Sequence, residues 1–309
     1  MQMNAEDQAA LEELQLRVRA ILPELYHDRC DDVKPVSMGT AALRFDSGGN
    51  VAWDEMWGSF CDLALAGGPP HKGTLLEPAS KEAIESEPDR YRTVVQEICR
   101  GIEMVANLPA EFSQVPGWIS VDCVNYTTAR WLLRAIVMEN VSARCEGSVL
   151  NLPSGPWYRL EKEIKNVITV IAKTSHYWFG HTSLAQRRNI GNLFTAMEEE
   201  SSLLQPAFSS RDFQPEHGQT VRNRMAKTLN LVTGLRASSH EYLGWLGIES
   251  TDINSAIWMM RAMVASNVLS RREGTVFFVP IDPFHDPNGA IVVRLVKRLH
   301  GFAQTLRVQ

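Results

Sequence analysis

The sequence predicts an α+β protein built from an internally duplicated unit. Three observations carry this. Short strand-like runs joined by tight turns alternate with amphipathic helices along the chain. A segment of 39 residues starting at Trp118 lies without a gap over one starting at Trp245, with 14 identities at an offset of 127. Composition alone would supply about two or three. Finally, 309 residues with 44% apolar and 22% charged side chains bury a large core without disulfide or metal staples.

In chain order, residues 5–22 form an amphipathic helix with Leu11, Leu14, Val18, Ile21 and Leu22 on one stripe, ended by Pro23. It packs on the body or on a second subunit, the latter as a homodimer. Residues 41–53 are a hairpin turning through Asp46-Ser47-Gly48-Gly49-Asn50, and Asp54 caps a helix over 55–66. Gly67-Gly68-Pro69-Pro70 stops that helix. A strong helix covers 88–107, and Ser86 with Asp89 resembles a capping box. A buried strand at 118–123 and a helix at 127–139 follow, the latter closing at Asn140 in a left-handed turn. Residues 141–153 make a second hairpin around Glu146-Gly147, and 160–174 are helical. The register then repeats, with a helical insertion and loop at 181–218 matching least between copies.

The expected parts are therefore an N-terminal helix (1–24), a first α+β unit (25–156, with the extra hairpin 41–53), a linking helix and insertion (157–219), and a second α+β unit (220–309). Each unit reads as hairpin, helix, helix, strand, helix. One such unit is too thin to cover both faces of its sheet. Two packed about a pseudo-twofold axis, with helices outside mixed or antiparallel sheets, would do so.

The formal charge is −5, and no run of Lys and Arg marks a nucleic-acid surface. No stretch approaches the roughly 18 apolar residues of a membrane span. The five cysteines, Cys30, Cys61, Cys99, Cys123 and Cys145, are odd in number and form no CxxC pair, which points to a reducing, cytoplasmic setting. P-loop, dinucleotide-binding, nucleophile-elbow and HExxH patterns are absent. No cofactor is indicated, and the metal content is open.

A repeated residue is first a structural residue, so chemistry is sought where the copies differ. The segment Gly67-Gly68-Pro69-Pro70-His71-Lys72-Gly73 is a rigid loop that delivers an imidazole and a cation. The corresponding helix of the next unit ends in His176, Tyr177, Trp178 and His181, and a third ends near His300. A protonated histidine at a helix C-terminus suits the dipole, which is the plain reason for all three. His176 and His181, five apart, do not share a face of a regular helix. Asp282, His285 and Asp286 read as turn chemistry before the last helix.

Trp131 with Arg134, and Trp258 with Arg261, lie opposite the core stripe of equivalent helices. Those helices are therefore covered on both sides, and the Arg pair either joins the two units or flanks an anion. Arg144 with Glu146, and Arg271 with Glu273, read as same-face ion pairs at strand ends.

The functional expectation is an enzyme acting on a small anionic metabolite, carboxylate or phosphate, in a cleft between the two repeats. His71, His176 and Tyr177 are its candidate catalytic groups. Gly67, Gly68, Lys72, Arg134, Trp178 and Arg261 are its candidate ligand-binding groups. The alternative is a non-catalytic ligand-binding, regulatory or scaffold protein.

Overall fold

A computed structural model describes residues 3–27, 30, 42–55, 73–207 and 215–306. The chain separates into a central unit, Val33–Arg187, and a flanking unit made of Met1–Asp32 with Arg188–Gln309. The second cut falls inside the expected linking region, and the N-terminal helix belongs with the C-terminal half. Each unit holds helices and one four-stranded antiparallel sheet, an α+β architecture.

In the central unit, α1 of the flanking unit being Ala5–Ile21, the described elements are α2 (Lys81–Ser86), α3 (Pro88–Ala106), β1 (Ala110–Phe112), β2 (Trp118–Asp122), α4 (Tyr126–Met138), β3 (Arg144–Glu146), β4 (Val149–Pro153) and α5 (Lys165–His176). Strand order is β1-β2-β4-β3. Register follows the alternation of side chains: Ile119 faces Leu152 and Val121 faces Leu150 across β2 and β4. With Cys145 of β3 these four side the sheet toward α4, and all are buried. Helix α3 packs on α5 through Gly101, where any side chain would collide with Ile168 and Trp53. Trp53 belongs to the hairpin at 42–53, whose turn closes from Asp46 N–H to Asn50 O. Its indole donates to Glu97 of α3 at 2.8 Å, and Arg100 holds both Glu97 and the Val51 carbonyl.

After α6 (Leu184–Glu200), the flanking unit continues with α7 (Pro215–Thr233), β5 (Ala237–Tyr242), β6 (Trp245–Glu249), α8 (Ile253–Ala265), β7 (Arg271–Glu273), β8 (Val276–Pro280) and α9 (Ala290–Leu306). Its strand order, β5-β6-β8-β7, is the same. The local devices coincide at the offset read from the sequence. Trp118 pairs with Pro153 as Trp245 pairs with Pro280. Asn125 and Asp252 cap α4 and α8, each accepting the N–H three residues on. Asn140 and Asn267 close those helices at φ 61° and 60°. Their side-chain amides also donate to the carbonyls of Gly73 and Ser201, at 2.8 and 2.7 Å. An Asn at this position tolerates the left-handed backbone, and unlike Gly it clamps a neighbouring segment.

Two sequence expectations change. Ser86 ends α2 rather than capping α3, because Pro88 takes the first helical position and Glu87 precedes it with no side-chain cap. Helix α9 runs on to Leu306, so His300 is not terminal, and burial lowers its pKa where a helix C-terminus would raise it. The helix expected at 55–66 lies almost wholly outside the described residues. The apolar stripe of α1 is used within its own unit, with Leu11, Leu14 and Ile21 buried and the helix packed on α8. Leu16 stays exposed.

Gly117 and Gly147 both have positive φ, at 89° and 58°. A Cβ at 117 would stand 2.5 Å from the carbonyl oxygen of Ala79, whereas at 147 nothing lies within 4 Å. Gly117→Ala therefore meets both the left-handed penalty and a fixed backbone atom, and should cost about 2–4 kcal/mol. Gly147→Ala meets only the first, about 1–2 kcal/mol. Urea unfolding of the two variants side by side measures the difference, and equal losses would remove the backbone-clash argument.

Candidate functional site

The site is built at the end of α5. Here the helix passes into a π-helical turn, Tyr177–His181. A π turn carries one extra residue per hydrogen-bonded ring, and such turns recur at functional sites because tertiary packing must compensate their poorer geometry. Trp178 supplies that packing. It is 1% exposed, its indole N–H donates to the Thr128 hydroxyl of α4 at 2.9 Å, and its ring stacks on Trp131 at 5.1 Å. Arg187 closes the far side, donating to the carbonyls of Thr182 and Phe179 at 2.9 and 2.8 Å.

The widened turn brings together two residues that a regular helix keeps apart. The Nε2 atoms of His176 and His181 are 3.2 Å from each other. Residues five apart do not share a face of a regular helix, but the helix is not regular here: closing the ring one residue later brings i and i+5 toward one face. Tyr177 stacks on Trp131 at 5.8 Å and 14°, and on His181 at 6.0 Å and 18°. His181 is exposed and His176 and Tyr177 are half-buried, so the pair is open to solvent while its aromatic support is not. Gly180 faces the His176 ring, where a Cβ would stand 3.6 Å from Cε1.

The other predicted residues distribute as follows. Arg134 is 1% exposed and donates to the Arg130 carbonyl one turn back, which places its guanidinium behind the surface. Arg261 belongs to the flanking unit, where it donates to the Tyr26 carbonyl at 3.1 Å and sits over the Tyr26 ring. The Trp/Arg faces of α4 and α8 are thus covered by different partners in the two units. His71, Lys72, Gly67 and Gly68 lie outside the described residues. Trp131, His181, Thr128 and Arg187 were not among the predicted site residues. The aromatic density of His176-Tyr177-Trp178-Phe179 was the available signal, but the π turn that organises it has no sequence signature.

The two sheets differ at matching positions. In the central sheet, Ser113 and Ser120 both donate to Asn151, at 3.2 and 3.0 Å, and the Arg144 to Glu146 pair is loose at 3.8 Å. In the flanking sheet the matching Arg271 is fully buried. It stands 3.9 Å from the Phe278 ring centroid, 4.3 Å from Tyr242 and 5.3 Å from Trp245, and pairs with Glu273 at 2.6 Å. Both pairs lie on one strand face as the spacing predicts, and the residue opposite the arginine is Asn151 in the first sheet and Phe278 in the second.

Burial pushes Cys99 and Cys123 up to about 12, which disfavours these two as nucleophiles. Asp282 and Asp286 are occupied as turn and cap groups, Asp282 accepting from Phe284, His285 and Gln205 and Asp286 from Ile291 and Val292. Among the described residues no three His, Cys, Asp or Glu side chains converge as a metal site, and no helix is long and apolar enough to cross a membrane. No protein family, curated protein or solved structure matches the chain.

Proposed function

We propose that the central unit binds a small anionic metabolite at the surface formed by His176, Tyr177 and His181, and that the imidazole pair moves a proton in an enzymatic reaction of that ligand. The observation that supports this is the 3.2 Å approach of the two Nε2 atoms. At that distance one nitrogen donates and the other accepts, so the pair shares a proton that can pass to or from a ligand. Protonation of either ring supplies the positive charge that a carboxylate or phosphate requires. The Tyr177 ring offers an apolar wall and a hydroxyl, and Trp178 stiffens it from behind. In this reading His71 and Lys72, on their glycine- and proline-rich loop with Gly67 and Gly68, remain the other contributors assigned from the sequence.

We also infer that the two units are copies of one module and that the protein works in the cytoplasm. The common strand order, register, caps and left-handed asparagines support the first. The free, buried thiol of Cys123 supports the second.

A thermal-shift and NMR screen of carboxylates and phosphates tests the function. His176→Ala and His181→Ala should each weaken the hits about tenfold, the scale of a lost charge-assisted hydrogen bond, with the unfolding temperature unchanged. Hits that bind both variants as they bind the wild type would discard the reading. Binding without turnover would leave a receptor in place of an enzyme.

A further inference from the structure

We propose that His176 and His181 bind one divalent transition-metal ion through their Nε2 atoms, leaving its other coordination positions open to water or to an anionic ligand. The inference rests on the imidazole pair of the proposed function and deepens it, since the metal would be the cation that receives the anion.

The first argument is distance. Two imidazole nitrogens on a tetrahedral ion, each about 2.0–2.1 Å from it, are about 3.3–3.4 Å apart. The observed separation is 3.2 Å. The second is chemistry: neutral imidazole is a preferred ligand of zinc, copper and nickel. The third is preorganisation. The continuous stack of Trp131, Tyr177 and His181 holds the second ring, and Arg187 fixes the carbonyls of Phe179 and Thr182 on either side of it. Little ordering remains for the ion to impose, which favours binding.

The fourth argument is coordination number: two imidazoles fill half of a tetrahedral shell, and sites that take substrate use fewer than four protein ligands. Ion binding displaces the proton held between the two nitrogens, to solvent from a protonated pair or to Nδ1 of the same ring in a neutral one, and leaves both rings neutral ligands.

The test is calorimetric titration of zinc chloride and nickel chloride into the full-length, tag-free chain after chelator treatment and desalting. One ion per chain is expected. His176→Ala and His181→Ala should each weaken it about tenfold or more, while His240→Ala, an exposed histidine of the flanking unit, should not change it. Histidine side-chain NMR then reports on the wild type, where zinc should shift the resonances of residues 176 and 181 and leave that of residue 240 in place. No uptake by the wild type, or equal uptake by both alanine variants, overturns the proposal. Repeating the anion screen with EDTA separates the two readings. Anion binding that survives in EDTA without metal uptake overturns the metal site alone. Metal uptake with no anion hit supports the metal site and removes the anion reading.

Discussion

Trp178→Ala should lower the stability of the central unit by about 3–5 kcal/mol, the range for truncating a fully buried indole. For a unit of this size that is a drop of about 6–20 °C in its unfolding temperature. The side chain fills the space between α4 and the π turn, bonds Thr128 at 2.9 Å and stacks on Trp131. Its removal leaves a cavity and takes away the packing that holds the wide turn. Trp178→Phe keeps most of the apolar area and loses only the N–H bond, so it should cost nearer 1–3 kcal/mol. The separation between the two variants measures packing against hydrogen bonding. The alanine variant should also lose the affinity of the histidine pair for metal and anion, because the rings are aligned by the turn and not by direct contact with Trp178. A variant that melts within 2 °C (roughly 1 kcal/mol) of the wild type would show that the turn is held by something else.

Glu273→Ala should cost the flanking unit about 3–5 kcal/mol, since it removes the carboxylate that faces a buried guanidinium. Arg271 has no exposed surface, and Glu273 also accepts a hydrogen bond from the Tyr242 hydroxyl at 3.0 Å. Glu146→Ala makes the same chemical change at the matching strand position of the central sheet. Glu146 is 67% exposed and 3.8 Å from Arg144, so that variant should lose about 0–1 kcal/mol. Arg271→Met with Glu273→Met should recover most of the loss, because apolar groups of similar size avoid the desolvation of both charges. Chemical denaturation of the three variants gives the comparison. A Glu273→Ala loss no larger than that of Glu146→Ala would mean that the aromatic rings of Tyr242, Trp245 and Phe278 accommodate the cation without its carboxylate.

The two arginines show how legibility in the sequence divides. Arg-x-Glu-Gly occurs in both copies, and the turn, the same-face placement and the hairpin are local consequences of that string. Whether the arginine is largely or wholly buried depends on the residue opposite it, Asn151 or Phe278, and on Tyr242, which reaches it from the β5–β6 hairpin. Burial of a charge is set by such non-local neighbours.

The sequence by itself determined the α+β class, the 127-residue spacing, the hairpin turns at Gly147 and Gly274, and the helix ends at Asn140 and Asn267. These depend on φ preferences, side-chain period and short-range hydrogen bonds, which a residue carries wherever it sits. Only the tertiary structure decided that His176 and His181 meet. A regular helix turns them apart, and the π turn that aligns them is stable because Trp178 is buried against Thr128 and Trp131, some fifty residues away in the chain. The energy that selects the wider turn comes from packing, and packing is a property of the folded whole.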